Sequence, residues 1–328
     1  MQSIPLQPLV FEPILRRLIW GGRRLGTLMG KPIGDGDDYA ESWEIADYHD
    51  SVSVVRDGPL AGTTLRDLVR TRPAQLFGRS RAAQDQFPLL IKLIDAREPL
   101  SVQVHPDDAL ARTLAGDSGK TEAWVVIDAE PGSLIYAGLK AGVDRDQLER
   151  AVRSGDVEPL LHRFEPRAGD CVMVEAGTVH AIGAGVLLAE VQQTSDATFR
   201  VFDWNRHGAD GKPRELHIDQ ALQSINFGRG PVDPLITKPL VLEDGNVSEA
   251  LARCPYFQLE RWTLGAPQEI GRDDRFTVVM VLSGEVRVSR GDGELSLGRG
   301  ATLLLPASIS PHVLSPIGQA VVLTCQQP

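Results

Sequence analysis

The stretch Pro99-Leu-Ser-Val-Gln-Val-His-Pro106 alternates polar and apolar side chains with the period of a β-strand. One face of such a strand would carry Ser101, Gln103 and His105, and the other face would be apolar. An amide and an imidazole two positions apart on a sheet face could belong to a metal site. The same pattern also fits a hydrogen-bonded core histidine, so further ligands must come from elsewhere in the chain.

Two further donors follow along the chain. Glu122 lies early in Gly119-Lys-Thr-Glu-Ala-Trp-Val-Val-Ile127, where a turn glycine opens a strand-like run, and His180 lies inside the second of two strand patterns in 167–181. A carboxylate at the start of a strand usually faces solvent. Two imidazoles, one carboxylate and one amide oxygen nevertheless suit a divalent metal. Zinc is the leading candidate, and manganese, iron or cobalt also fit this donor set.

The composition limits the classes of function. The chain has 328 residues, of which 42% are hydrophobic and 24% charged, and a net charge of −10. This charge argues against nucleic-acid binding and against attraction to anionic membranes, and an anionic substrate would need local cations. No apolar run approaches the roughly 20 residues of a membrane-spanning helix, and no secretory signal is predicted. The three unpaired cysteines, Cys171, Cys254 and Cys325, favour the cytoplasm.

Short β-branched runs separated by glycine, proline and aspartate predict mainly antiparallel β structure from Glu41 onward. Four short helices interrupt it, three of them opened by a threonine or aspartate cap. They are predicted over Thr64–Arg72, Asp107–Ala115, Asp144–Arg153 and Asp219–Ile225.

A second β unit follows a proline-containing segment that loses alternation. Its strands are predicted over Tyr256–Trp262, Thr277–Leu282, Gly284–Val288, Gly293–Leu297 and Ala301–Pro306. Where the first unit has Gln103 and His105, the second has the apolar run Phe276–Met280. His312 is therefore predicted to be a surface or core histidine rather than a ligand.

Seven motifs in order resemble the type I phosphomannose isomerases of the cupin superfamily, in their shorter bacterial form. They are Arg17-Leu-Ile-Trp-Gly-Gly22, Ala40-Glu-Ser-Trp-Glu-Ile-Ala46, Phe87-Pro-Leu-Leu-Ile-Lys-Leu-Ile94, Leu100-Ser-Val-Gln-Val-His-Pro-Asp-Asp108, Gly119-Lys-Thr-Glu122, Gly177-Thr-Val-His180 and Glu190-Val-Gln-Gln-Thr-Ser-Asp-Ala-Thr-Phe-Arg200.

The resemblance implies a bicupin, that is, two jelly-roll β-barrels with a few short helices. Residues 1–228 would form the catalytic cupin with helical insertions at about 107–116 and 144–164. Residues 229–250 would connect it to a metal-free cupin at 251–328. The large helical insert of longer relatives is absent, and Gly119 replaces a histidine that some relatives place before the lysine.

The resemblance also implies an activity, the interconversion of mannose 6-phosphate and fructose 6-phosphate. One zinc would be held by Gln103, His105, Glu122 and His180. Lys120, Glu190, Asp196 and Arg200 fall on family positions around the sugar. We expect a monomer, with weak homodimerisation left open.

Aldose–ketose isomerisation through an enediol needs a base and a group that stabilises an oxyanion. Arg200 could hold the developing enediolate, and Glu190 could be the base or could form a structural salt bridge with Arg200. Lys120 could bind phosphate, move a proton or cover the rim.

Substrate contacts are also predicted outside these groups. Ser101 could donate to phosphate, and Trp20 and Glu44 could line the cleft. Trp43 and Trp124 are predicted to be core residues.

Two other functions remain open at this stage. One is a non-catalytic sugar-phosphate-binding cupin in which a metal only anchors the ligand. The other is a different metal-dependent cupin enzyme, such as a dioxygenase with a redox metal.

Overall fold

The computed structural model describes residues 6–207, 211–272, 274–291 and 293–328. The strands are β1 Ile14–Gly22, β2 Tyr39–Ile45, β3 Asp47–Tyr48, β4 Ser51–Val52, β5 Leu89–Ala96, β6 Val102–Val104, β7 Glu122–Ala129, β8 Ile135–Leu139, β9 Leu161–Phe164, β10 Cys171–Val174, β11 His180–Ile182, β12 Val186–Gln193, β13 Phe199–Phe202, β14 Leu240–Val241, β15 Val247–Arg253, β16 Gln258–Leu264, β17 Gln268–Ile270, β18 Thr277–Ser283, β19 Glu285–Arg290, β20 Gly293–Gly298, β21 Thr302–Leu305, β22 His312–Pro316 and β23 Ala320–Gln326.

The helices are few and short, which confirms the prediction of a mainly β chain. They are α1 Arg24–Thr27, α2 Leu65–Thr71, α3 Pro73–Phe77, α4 Asp108–Leu114, α5 Arg145–Ser154 and α6 Ile218–Ser224, with 3-10 turns at Arg79–Arg81, Glu158–Leu160 and Ala307–Ile309. Within the described ranges, no helix is long and apolar enough to span a membrane.

The strands form four main sheets. The first has the order β1-β2-β5-β12-β7-β10, the second β13-β6-β11-β8-β9, the third β14-β15-β16-β23-β18-β21 and the fourth β17-β22-β19-β20. The first two sheets come from the N-terminal two thirds of the chain, and the last two from the C-terminal third. The chain thus builds two β units in sequence order.

The four sheets are stacked in layers. Inward residues of the first sheet, such as Ile94 and Trp124, share a core with Ile182 of the second sheet. The opposite face of the first sheet packs against the third sheet, where Ile91 and Met280 belong to one large core. The central strands β5 and β12 are therefore buried on both faces, which explains why they read as continuous apolar runs without alternation.

The four predicted helices are confirmed to within one or two residues, because their end signals are local. Thr64 and Asp107 cap α2 and α4, with side chains that accept hydrogen bonds from backbone N–H groups of the first turn. Asp144 and Gln147 form a capping box at α5, and Gly155 ends it in the left-handed conformation.

The two segments predicted as insertion and connection both contain strands. The predicted insertion 144–164 contains β9, an edge strand of the second sheet, after α5. The predicted connecting segment 229–250 contains β14 and the start of β15, so the third sheet begins at Leu240 rather than at 251. In addition, Val10 from the N-terminus packs in the core between the third and fourth sheets. A residue near the N-terminus thus contributes to the core of the C-terminal unit, which the sequence did not predict.

Phe276 lies where the two units meet, and its substitution gives a first testable prediction. Its ring centroid is 4.8 Å from that of Phe87 and 6.1 Å from that of Phe77. We expect Phe276→Ala to lower the free energy of unfolding by about 3–5 kcal/mol, because a fully buried aromatic side chain would leave a cavity. Urea denaturation followed by tryptophan fluorescence measures this loss.

Val313→Ala is the control, because Val313 is largely exposed in β22. Its free energy of unfolding should change by less than about 1 kcal/mol. A loss for Phe276→Ala no larger than that of the control would contradict a shared core between the units.

Candidate active site

A cavity of about 340 Å³ opens between the first and second sheets. It collects most of the residues that were singled out from the sequence, although they are up to 180 positions apart. The predicted site residues that line it are Trp20, Ser101, Gln103, Lys120, Glu190, Asp196 and Arg200. Antiparallel pairing brings them together from β1, β6, β12, β13 and the segments beside them.

His105, Glu122 and His180 form a buried group that could hold a metal ion, with one ligand atom of each within 4.8 Å of the others. His105 Nε2 lies 3.3 Å from Glu122 Oε2, and His180 Nε2 lies 3.6 Å from Glu122 Oε1. Glu122 is buried although it starts β7, because its side chain lies against His105 and His180 on the side of the second sheet. The expectation that a carboxylate at a strand start faces solvent is wrong here.

The donor atoms of this group are available for a metal. His105 Nδ1 is 3.0 Å from the Ala197 carbonyl oxygen, and His180 Nδ1 is 2.9 Å from that of Thr178. These contacts place the ring proton on Nδ1 and leave a lone pair on Nε2. Both Nε2 atoms and Glu122 Oε2 are buried without a hydrogen-bond partner among the described residues. Such atoms are costly to leave unpaired, and a cation between them would satisfy all three.

The charges of the group also suit a metal. Burial, with the nearby Lys120 ammonium, lowers the pKa of His105 to about 3, and burial lowers the pKa of His180. Burial alone would raise the pKa of Glu122, but Lys120 and His105 hold it well below its usual range. The imidazoles are therefore neutral and the carboxylate is ionised, which are the forms that bind metals.

Gln103 lies beside this group. It pairs directly with His180 of β11 on one side and with Arg200 of β13 on the other, so the three side chains share one sheet face. Its amide thus belongs to the same cavity wall, and the alternation seen in the sequence indicated the correct face.

Glu190 is paired with a residue that the sequence did not single out. Its Oε1 lies 3.1 Å from Lys92 Nζ, and its Oε2 accepts a hydrogen bond of 3.1 Å from the Trp124 indole N–H. The predicted alternative of a salt bridge to Arg200 is therefore wrong. Burial raises the pKa of Glu190, although Lys92 opposes this shift. Trp124 is buried in the core as predicted.

Lys92 and Glu41 are functional candidates that the sequence reasoning missed. Both line the cavity, and Lys92 Nζ lies 3.8 Å from Glu41 Oε2. Burial alone would lower the pKa of Lys92, but Glu190 and Glu41 raise it above its usual value. The sequence did indicate an unusual role for Lys92, because this residue is a single cation inside an otherwise apolar run.

Arg200 is half-buried in the cavity wall. Its Nη1 donates to the Glu215 carbonyl oxygen at 2.6 Å, and its Nε is buried without a hydrogen-bond partner. Burial, with the neighbouring Arg214, lowers the pKa of Arg200. Arg214, which the sequence reasoning also missed, lines the same cavity.

Asp196 lies at the exposed rim of the cavity. Its backbone N–H donates to Asp117 Oδ2 at 3.1 Å, and Tyr48 donates to the same oxygen at 2.8 Å. Asp117 therefore fixes the loop that carries Asp196, and this contact depends on residues far apart in the sequence.

Glu44 does not line this cavity. Its Oε2 lies 2.5 Å from Lys31 Nζ, and both residues line a separate cavity of about 500 Å³. Glu41 points to the predicted cleft instead. Because β2 is buried on both of its faces over most of its length, the sequence did not show which face was the functional one.

Family models match both units. Residues 9–123 match the model of the phosphomannose isomerase type I catalytic domain, and residues 247–324 match that of the mannose-6-phosphate isomerase cupin domain.

Curated proteins match over nearly their whole length. A mannose-6-phosphate isomerase of Streptococcus mutans is 36% identical over 92% of this chain and 93% of its own. The mannose-6-phosphate isomerase ManA of Bacillus subtilis is 33% identical over 96% of this chain and 98% of its own.

The crystal structure of a mannose 6-phosphate isomerase from Bacillus subtilis superposes with a TM-score of 0.88. It is 31% identical in sequence and covers 98% of this chain and 99% of its own. Sequence, fold and site geometry agree, and the chain belongs to the type I phosphomannose isomerase family.

Proposed function

We propose that this protein interconverts mannose 6-phosphate and fructose 6-phosphate by a metal-assisted proton transfer through an enediol. One observation carries the proposal. The unpartnered donor atoms of His105, Glu122 and His180 lie beside the cavity that Glu190 and Arg200 line. Family membership supports the choice of substrate.

Zinc is the metal that we propose, with Gln103 as a fourth ligand. Two neutral imidazoles, one carboxylate and one amide oxygen suit zinc, and no cysteine takes part. When bound, the ion would supply Lewis-acid polarisation of the oxygens of the sugar.

Glu190 is the base in this proposal. It would take the proton from C2 of the aldose and return it to C1, giving the ketose, while the hydroxyl proton moves between O2 and O1. Lys92 and the Trp124 indole hold its carboxylate in place from two directions. Lys120, 3.5 Å from Glu122 Oε2, would add positive charge near the reacting oxygens.

Arg200 would stabilise the enediolate. Its guanidinium is fixed by the Glu215 carbonyl, so its remaining N–H groups are oriented before substrate binds. Asp196 at the rim would contact a sugar hydroxyl, Trp20 would pack against the carbon chain, and Ser101 would donate to phosphate. Glu44, which lines the other cavity, is not among the proposed contacts.

We also propose that each pair of facing sheets is a jelly-roll cupin barrel. The first two sheets would form the catalytic barrel and the third and fourth a barrel without metal. This is supported by the separate cores between the sheets of each pair.

A coupled assay tests the proposed activity. Added enzymes convert the fructose 6-phosphate formed to glucose 6-phosphate and oxidise that product with NADP⁺, so that NADPH formation reports turnover. We expect turnover of mannose 6-phosphate that is lost after removal of metal by a chelator and restored by zinc. Protein with one equivalent of metal that binds the sugar phosphate without turnover would contradict the proposal and favour a binding protein. Iron as the resident metal, with consumption of oxygen, would favour a dioxygenase.

Arg200→Met gives a prediction for the oxyanion role. We expect kcat to fall by about 10²- to 10³-fold with zinc content unchanged, which is typical of the loss of one oxyanion donor. Metal analysis and steady-state kinetics measure both quantities.

Arg261→Met is the matched control, because Arg261 Nη1 also donates to a backbone carbonyl, that of Gly169, at 2.6 Å. This control should keep its kcat. Full activity of metal-loaded Arg200→Met would remove Arg200 from the oxyanion role.

A further inference from the structure

Arg214 is a cation of the cavity wall that has no part in the proton transfer proposed above. Its Nη1 lies 3.5 Å from Asp203 Oδ1, and its side chain is 29% exposed. The distance to Asp203 is long for a hydrogen bond, and among the described residues no other group accepts a hydrogen bond from this guanidinium, which lines the cavity. Such a group can bind an anion.

The position of Arg214 along the cavity follows from strand register. Asp203 is the residue after Phe202, which pairs with Val102 across β13 and β6. Arg214 therefore contacts the second sheet beside Ser101 and Val102. We call this position along the strands the Asp203 level. Ser101 lines the same cavity.

The metal-binding group lies at a different level of the same sheet. Gln103 pairs with His180, and His105 lies two positions further on. Two residues of a strand span about 7 Å. This separation is comparable to the length of the carbon chain between the reacting carbons and the phosphate of a hexose 6-phosphate.

Charge distinguishes the two levels. Around the proposed base and metal group, four carboxylates face two lysines and Arg200, so carboxylates are in excess among these side chains. The carboxylates are Glu41, Glu122, Glu190 and Asp196, and the lysines are Lys92 and Lys120.

The level of Asp203 is positive by comparison. Arg214 lines the cavity there and Arg206 lies behind it, while Arg200 lies at the level of Gln103, with which it pairs. Asp203 is the one buried carboxylate that contacts Arg206 and Arg214 among the described residues. A phosphate dianion would be attracted to this level, away from the carboxylates of Glu41, Glu122 and Glu190.

Asp203 and Arg206 also explain how Arg214 is placed. Arg206 Nη2 lies 2.5 Å from Asp203 Oδ1, and Arg206 Nη1 donates to the Pro99 carbonyl oxygen at 2.6 Å. Arg206 thus anchors Asp203 to the chain just before Ser101. Asp203 in turn holds Arg214 loosely at the cavity wall.

We propose that Arg214 binds the phosphate of the substrate together with Ser101, is positioned by Asp203, and sets the preference for phosphorylated over unphosphorylated sugar. The inference rests on the proposed isomerase function. It adds the direction in which the sugar lies, with phosphate at the Asp203 level and the reacting carbons at the level of Gln103.

Arg214→Met in the full-length, zinc-loaded protein tests this inference. We expect KM for mannose 6-phosphate and the competitive inhibition constant of inorganic phosphate both to rise by about 10- to 100-fold, the cost of one charge-assisted hydrogen bond. The value of kcat should stay within about threefold, because Arg214 does not contact the reacting atoms. Arg214→Lys should recover part of the phosphate affinity, since it keeps the charge but not the fork of donors.

Arg229→Met is the matched control. Arg229 has the same 29% side-chain exposure and one ion pair, with Glu175 at 2.7 Å, but lies outside this cavity. It should leave both constants unchanged. An Arg214→Met protein with unchanged KM and phosphate inhibition, or with changes no larger than those of Arg229→Met, would overturn the inference.

Calorimetric titration with inorganic phosphate separates this inference from the proposed function, because it needs no turnover. If the protein has no isomerase activity but Arg214→Met still weakens phosphate binding, the proposed function fails and the anion site stands. If the protein is an active isomerase and phosphate binds both proteins equally, the function stands and the role of Arg214 is wrong.

Discussion

His180→Ala is expected to release the metal from the protein and to lower turnover of mannose 6-phosphate by more than about 10³-fold. His180 Nε2 is buried without a hydrogen-bond partner in the part of the chain that the structure describes, and no histidine, cysteine or carboxylate there other than His105 and Glu122 joins it in the group, so its loss removes a ligand without a substitute. One imidazole, one carboxylate and the Gln103 amide would remain, a weaker donor set than the imidazole-rich ligands of catalytic zinc sites. Elemental analysis after dialysis measures the metal per chain.

His312→Ala is the control for this experiment. His312 lies in β22, with Nε2 3.0 Å from the Ser289 carbonyl oxygen, far from the metal-binding group. It should retain full metal content and activity. If His180→Ala kept one equivalent of metal with an unchanged circular dichroism spectrum, the proposed ligand set would be wrong.

Glu190→Gln has the second large expected effect. We expect kcat to fall by about 10²- to 10⁴-fold with metal content unchanged, because an amide cannot accept the C2 proton. Exchange of the C2 hydrogen with deuterium from solvent should slow by the same factor. This second readout separates loss of proton transfer from a general loss of structure.

The protein should tolerate this substitution. Lys92 would still have Glu41 as a charged neighbour, at 3.8 Å, and the glutamine would still accept from the Trp124 indole. Glu249→Gln is a control, because Glu249 is likewise paired with one cation, Arg261, at 2.6 Å, but lies in the C-terminal unit. If deuterium exchange were unchanged in Glu190→Gln, the base would be another group, with Lys120 the next candidate.

Much of the fold could be predicted because its signals are local. Caps such as Thr64 and Asp144 define helix starts through bonds within one turn, and turn glycines delimit the strands of the C-terminal unit. The extent of each unit could not be read in this way. The segment around Leu240 and Val241 pairs as an edge strand, and its side chains are exposed, so it carries no apolar pattern.

Part of the site could also be predicted, because some of its signals are local in the sequence. Gln103 and His105 lie on an alternating strand, and Ser101 shares their face, so the sequence identified one wall of the cavity. Glu122 and His180 came from motif order. The sequence left open whether Glu190 pairs with Arg200, and its partner is Lys92 because β5 and β12 are neighbours in the first sheet.

By itself, then, the sequence determined a mainly β chain with few helices, the family, and the side chains of a group that could hold a metal. Only the tertiary structure placed Lys92 between Glu190 and Glu41, showed that Glu44 lines another cavity, and brought Arg214 to the level of Ser101. The physical reason is that the first sheet is buried on both faces. Its strands show no alternation, and which face meets the cavity is decided by the layers packed against it.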